Sequence, residues 1–199
     1  MSLKAKKILT VVLLILDVLL LLTLIIVNVM SYDMPSTTID RTFLESAKEL
    51  YILSTIHKCS LISFIAVTLA FLCVLFPKTF DGADLPEWTL ILMVVIAFVA
   101  VLVMIVKAIT DITPAISNEP VVRTSVVSET YSRHRRKTHR DYYVVIEGQT
   151  ISVTEEEYKS VLKGDMYYII CCGDKIIKTC NPEKYTIETR YANPPEMEW

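Results

Sequence analysis

The sequence carries almost nothing that points to catalysis. Its three histidines, His57, His134 and His139, stand in no nucleophile–base spacing with a cysteine or a carboxylate. Cys171, Cys172 and Cys180 are not spaced as CxxC, and no histidine cluster completes a zinc site. Neither catalytic, cofactor-binding nor metal-ligating residues follow from the sequence, so a non-enzymatic protein without cofactor is expected. Net charge is scarce too, at −2 for the whole chain. From Glu119 to Trp199, 12 Lys/Arg stand against 13 Asp/Glu, a net of −1. A nucleic-acid footprint would be basic, so nucleic acid is not an expected partner. No internal repeat is evident.

What the chain does have is apolar length. Ile8–Met30, Cys59–Phe76 and Trp88–Val106 are each 18 residues or longer and nearly free of charge. At a rise of about 1.5 Å per residue, each helix can cross a hydrocarbon core of about 30 Å. Mean hydropathy, +0.46, averages two unlike halves. Lys4, Lys6 and Lys7 precede the first run, as in a signal peptide. Its 23 apolar residues exceed a signal's core, however, and no small-residue cleavage site precedes Tyr32. A retained helix is expected, giving membrane helices at about 8–30, 59–76 and 88–106 in a domain spanning 1–109.

Three crossings place the two tails on opposite sides. The short basic N-tail predicts a cytoplasmic N-terminus and an external C-terminal half in the cell membrane. Free thiols at Cys171, Cys172 and Cys180 argue the other way, toward a reducing compartment. Cys59 and Cys73 read as small apolar packing residues of the second membrane segment.

Between the first two spans, Thr42–Lys58 looks helical: Phe43, Leu44, Ala47, Leu50 and Tyr51 recur at helical spacing. It is expected to lie in the interface or to extend the second membrane helix. Residues 110–120 carry Pro114 and Pro120 and read as a linker. Beyond them the pattern turns to period two. Val121–Tyr131, Tyr142–Glu147, Thr150–Val153, Met166–Cys172, Lys175–Cys180 and Tyr185–Thr189 read as strands. Thr154 with Glu157 forms a capping box ahead of a short helix that buries Tyr158, Val161 and Leu162 and stops at Gly164. A hairpin about Gly173-Asp174 pairs Cys172 with Lys175 and Cys171 with Ile176, and sets Cys180 opposite Tyr167. The expected fold is membrane α-helical, with three transmembrane helices, plus a small, mainly antiparallel β domain over 121–190 with one short helix. Residues 119–199 are expected to fold by themselves, with 191–199 an unstructured tail.

Two features invite a function. Asp17 stands about 13 Å into the first span, where an acid costs about 3 kcal/mol on insertion scales. Depth matching makes the Thr68 hydroxyl its best partner, with Phe98 at similar depth on the third span. One reading is a proton path. The blander one is a helix-packing hydrogen bond or a contact between oligomer partners, and it is preferred because the segment offers no intramembrane base. The second feature is the run Ser132–Arg140, in which Arg133, Arg135, Arg136, Lys137 and Arg140 lie between two strands. It reads either as a loop for anionic lipid or a protein partner, or as a solvated loop that like charges keep mobile. The tyrosines Tyr142, Tyr143, Tyr167, Tyr168, Tyr185 and Tyr191 read as half-buried strand residues rather than as a groove lining.

Asp111-Ile112-Thr113-Pro114 followed by Gly164-Asp165-Met166-Tyr167 and Tyr185 gives the chain a resemblance. It is similar to a type of uncharacterised membrane protein of Gram-positive bacteria: a transmembrane helix, an Asp-Ile-x-x-Pro-like exit, then a small C-terminal β domain. The match covers about 75 residues and departs at Thr179-Cys180-Asn181-Pro182, where an aromatic-rich step would stand. The resemblance implies the fold and a bacterial membrane, and no activity. The sequence thus reads as an integral membrane protein presenting a small β domain for binding. The rival is a membrane immunity or regulatory subunit acting through transmembrane helix contacts, with a protein partner or homo-oligomer formed there.

Overall fold

A computed structural model describes residues 3–30, 36–76, 87–136 and 139–188. It has three long helices, α1 (Leu3–Met30), α2 (Arg41–Leu75) and α3 (Glu87–Ser117). All three are long and apolar enough to cross a membrane, which makes this a membrane protein. The strands are β1 (Thr38–Ile39), β2 (Pro120–Arg136), β3 (His139–Ile146), β4 (Gln149–Val153), β5 (Met166–Cys172), β6 (Lys175–Cys180) and β7 (Thr186–Ile187), with one short helix α4 (Glu155–Ser160). The expected fold class is the observed one. The chain divides into two compact units: Met1–Tyr32 with Ile52–Thr113, and Asp33–Tyr51 with Pro114–Trp199.

In the first unit the helices meet along one apolar seam. Leu13, Val67 and Val74 are buried there, with Leu9, Leu16, Leu20, Phe71, Val94 and Val101 against them. The α1 residues recur at three and four spacing, so they form a single stripe. The rest of the helical surface stays apolar and exposed, as lipid-facing positions require. Phe98, expected at the depth of Asp17, faces outward at 61 % exposure; α3 turns Val94 and Val101 inward instead.

The second unit is built on an antiparallel half-barrel of order β4-β3-β2-β5-β6. β2 holds it together. Its first residues, Pro120–Val126, pair with Cys172–Met166 of β5, and the remainder pairs with β3. A bulge between Val127 and Glu129 marks the changeover, where Ser128 donates its hydroxyl to the Val145 carbonyl. Bulges bend a strand and sharpen its twist, which lets one strand serve two pairings. The β3–β4 turn is Glu147-Gly148, both at positive φ (51° and 74°), the geometry of a two-residue hairpin loop that matches strand twist. The strand bounds expected from the sequence, Tyr142–Glu147 and Thr150–Val153, put that turn one residue later, at Gly148-Gln149.

The sheet is covered on both faces. Val127, Val144, Ile146, Val161, Tyr167, Ile169, Cys171 and Ile176 form the core on one side. On the other side Val122, Ile170 and Cys180 pack with Ile39, Phe43, Leu44 and Ala47. β5 therefore sends Tyr167, Ile169 and Cys171 one way and Ile170 the other, which explains its unbroken apolar run. Residues 42–58 extend the second membrane helix, one of the two arrangements expected from the sequence, and the first turns of α2 belong to this unit and cover its sheet. Asp40 caps α2 by accepting from the Phe43 N–H at 2.7 Å. Ile39 and Leu44 flank that cap as a hydrophobic staple, both buried. β1 pairs in parallel with β7 through Thr38–Thr186 and Ile39–Ile187, stitching residues 33–51 to the far end of the chain.

Four expectations need correction. The third helix does not give way to a linker at 110: α3 continues to Ser117 with Pro114 inside it. Its end is held by a cation, Lys48 Nζ donating to the Asn118 carbonyl at 3.2 Å, where helix carbonyls lack partners. The β domain is not 121–190 alone but includes 33–51. Cys180 stands opposite Tyr168, not Tyr167, because a bulge after Ile170 shifts the register; Cys172–Lys175 and Cys171–Ile176 pair as expected. Leu162 is 69 % exposed, because α4 ends at Ser160 and only Val161 turns into the core. The capping box itself is present: Thr154 Oγ1 accepts from the Glu157 N–H, and the Glu157 carboxylate accepts from the Thr154 N–H. Residues 191–199, expected as a tail, lie outside the described residues.

Candidate functional site: a basic hairpin

The basic run is not a loop between short strands. β2 and β3 stay paired nearly to its tip, with Tyr131 opposite Tyr143, Ser132 opposite Tyr142, Arg133 opposite Asp141, and His134 opposite Arg140. Directly opposed residues of an antiparallel pair share a face. One face therefore carries Tyr131, Arg133, Asp141 and Tyr143. The other carries Ser132, His134, Arg140 and Tyr142. The two tyrosines of the first face stack, with ring centroids 5.2 Å apart and planes 26° apart. On the second face the Arg140 guanidinium donates to His134 Nε2 at 3.1 Å. Arg133, His134, Asp141 and Tyr143 line a shallow groove of about 460 Å³.

Of the five expected cations, Arg133 and Arg140 have described side chains, and both are exposed. Arg135 and Arg136 contribute backbone to β2, with a second bulge between His134 and Arg136. Their side chains, and Lys137 entirely, lie outside the described residues. Pairing fixes the backbone, so Arg133 stands at a set position on the face of the stacked tyrosines and Arg140 at a set position on the opposite face. No sequence signal joined Tyr131 to Tyr143, because only the hairpin register brings them together.

The membrane candidate is also located. Thr68 Oγ1 donates to Asp17 Oδ1 at 2.7 Å, and both residues are half-buried between α1 and α2. This is a contact within one chain. It satisfies a carboxylate oxygen that hydrocarbon would otherwise leave bare. Interhelical bonds of this kind contribute about 0.6 kcal/mol.

The remaining groups with chemistry are buried structural ones. All five cysteines are free. Burial pushes the Cys171 thiol up to about 11 and the Cys180 thiol up to about 12, away from reactive thiolate. Their burial also blunts the redox argument, since a thiol with no accessible partner stays reduced in either compartment. Among the described residues no group of three His, Cys, Asp or Glu side chains is placed to hold a metal ion. Tyr191 lies outside the described residues. Tyr168 and Tyr185 pack on the core beside α2, and Tyr142 meets Tyr158 in a tilted contact with ring centroids 4.9 Å apart. Comparison with family models, with curated proteins and with solved structures gives no match to this chain.

Proposed function

We propose that this is a non-enzymatic, multi-pass membrane protein whose β domain binds the anionic headgroups of a lipid surface through the Arg133–Arg140 hairpin. The observation that carries the reading is the paired hairpin itself. It holds Arg133 on the face of the Tyr131–Tyr143 stack and Arg140 on the opposite face. Tyrosine with arginine is the chemistry of the headgroup zone, where the ring takes the apolar side and the cation takes phosphate. Each cation near an anionic surface contributes about 1 kcal/mol. The net charge of −1 over Glu119–Trp199 argues against nucleic acid, which would ask for a basic domain. The rival reading, a regulatory subunit acting through transmembrane contacts, rested on Asp17. That carboxylate has its partner within the chain, at Thr68.

The N-tail with Lys4, Lys6 and Lys7 is proposed to stay in the cytoplasm. Three crossings then put residues 33–51 and 114–199 on the same, opposite side. That the two segments fold into one unit supports an even number of crossings between them.

The test uses the full chain carrying an environment-sensitive dye on Ser132→Cys. Nanodiscs of pure phosphatidylcholine are compared with nanodiscs containing phosphatidylglycerol. The dye should shift to the blue with the anionic lipid, and the shift should fall with added salt. Replacing Arg133, Arg135, Arg136, Lys137 and Arg140 by Gln should abolish it. Equal emission in both discs would sink the lipid reading.

A further inference from the structure

β2 outruns its neighbour on one side. Its pairing with β5 ends at Val126. The next residue is bonded too: the Val127 N–H donates to the Asp165 carbonyl at 2.9 Å, and the Val127 carbonyl accepts from the Gly164 N–H at 2.9 Å. Past that point β2 and β3 run on as a two-stranded ribbon. Among the described residues, nothing pairs with the other edge of β2 there. The register says which groups are bare. Ile146 and Gln149 flank the β3–β4 turn and form the hydrogen-bonded pair that closes it. Alternation along β3 then aims the backbone of Val145, Tyr143 and Asp141 at β2, where Glu129, Tyr131 and Arg133 meet them. The N–H and C=O groups of Thr130, Ser132 and His134 therefore point out of the open edge. Backbone left unpaired at a sheet edge is a template for another strand.

The side chains on this edge say which strand fits. Glu129, Tyr131 and Arg133 share one face, and all three are exposed. Among the described residues neither Glu129 nor Arg133 forms an ion pair, and Arg133 does not close on Asp141, its neighbour across the ribbon. Glu129 and Arg133 cannot reach each other, because four residues of strand hold them about 13 Å apart. Acid, aromatic and base at alternate positions are complementary to the same series read backwards. The sheet's outer edges lack this pattern: β6 carries Lys175 and Lys178 and no acid, and β4 carries no charge.

We infer that the free edge of β2 pairs, antiparallel and about a two-fold axis at Tyr131, with the same edge of a second copy of this chain. The axis sets Glu129 of each copy opposite Arg133 of the other, and Tyr131 opposite Tyr131. These are the non-hydrogen-bonded positions, where facing side chains come closest. Thr130 of each copy falls opposite Ser132 of the other, and each such pair exchanges both of its N–H···O=C bonds. An axis at Arg133 would instead oppose two guanidinium groups. Exposed ion pairs are individually weak. Both copies are held in one membrane by their long helices, however, which raises the effective concentration of one edge for the other. Arg140 lies on the opposite face of the ribbon and stays open to headgroups, so the pairing does not rest on the lipid reading.

The experiment keeps the full chain in native membranes. Tyr131→Cys puts a thiol at the axis, where facing Cα atoms come within disulfide reach. Mild oxidation should link it to its own copy. Lys163→Cys, exposed and off the edge, should not link, and wild type with its five free cysteines sets the background. Glu129→Arg or Arg133→Glu, each added singly to Tyr131→Cys, should cut the yield roughly tenfold, because one reversal turns both symmetric ion pairs into like charges. Co-expressing the two reversed chains should restore the link, since each then offers the other the opposite charges at both positions. A fold damaged by the substitutions would not be repaired by mixing. The inference is overturned by no link above background, by equal links at Lys163→Cys, by yields indifferent to the reversals, or by no restoration in the mixture.

Discussion

Phe43→Ala tests whether residues 33–51 belong to the β domain. Phe43 is fully buried, and its ring meets Tyr185 edge-on with centroids 5.6 Å apart. It packs with Ile39, Leu44, Val122, Ile170 and Cys180 on the sheet face opposite the main core. Truncating a buried Phe to Ala costs about 3–5 kcal/mol, the lost transfer energy plus the cavity left behind. The edge contact belongs to the upper part of that range, at about 0.5–1.5 kcal/mol. A small domain holds about 5–15 kcal/mol in all, so the variant removes a large fraction of it. The assay is alkylation of the buried thiols Cys171 and Cys180 in the full chain in detergent, with each site resolved by mass spectrometry. Both thiols react only when the unit opens. Their protection should fall by roughly two to three and a half powers of ten, at about 1.4 kcal/mol per decade. Phe98→Ala, at a site 61 % exposed on α3, should leave it unchanged. Alkylation rates in Phe43→Ala within about threefold of wild type would refute the reasoning, because the α2 cover would then carry no weight.

Other consequences follow from the same packing and polar contacts. Asp17→Asn should keep the contact with Thr68 and leave helix association intact, whereas Asp17→Leu should weaken it by about 0.6 kcal/mol, read by thermal stability of the membrane unit in detergent. The β domain should lose stability in alkali. Cys171 and Cys180 sit at about 11 and about 12 against an ordinary 9.0, so the folded state keeps protons that the unfolded state releases. Their contribution is complete below pH 9 and fades as pH rises toward 11 and 12; a chemical melt that is flat from pH 8 to 11 would contradict it. Gly173→Ala should destabilise by about 1 kcal/mol or more. Its φ is +61°, and a Cβ would stand 3.1 Å from Asn118 Nδ2. A cysteine at Ser132 should react with a membrane-impermeant thiol reagent on intact cells; reaction only after permeabilisation would place the hairpin in the cytoplasm.

The membrane half was legible because hydrocarbon imposes one rule on sequence, a long run without charge. The Asp17–Thr68 contact was legible for a related reason, since helical rise converts residue number into depth. The capping box and the Gly173-Asp174 hairpin were written in local residue types. What escaped was everything set by long-range pairing. Ile39-Asp40 and Phe43-Leu44 carry a cap and a staple in plain view, but nothing local says that their apolar side faces Val122 and Ile170. The unbroken run Met166–Cys172 was the available signal, because a strand buried on both faces needs a second cover. Bulges at Val127–Glu129 and after Ile170 are equally silent in sequence, and the second moved Cys180 opposite Tyr168. Pro114 reads as part of a linker that begins at residue 110, yet α3 runs through it. For the hairpin, residue types announced the charge, while the register alone created the Tyr131–Tyr143 stack.

The central claim, that the hairpin meets anionic headgroups, is tested most directly by contact. A photo-crosslinking side chain is placed at Ser132, between Tyr131 and Arg133, in the full chain in native membranes. Irradiated wild type should yield adducts with anionic phospholipid, and the variant with Gln at Arg133, Arg135, Arg136, Lys137 and Arg140 should lose them. Adducts with protein alone, or lipid adducts at the same yield in both, would contradict the account.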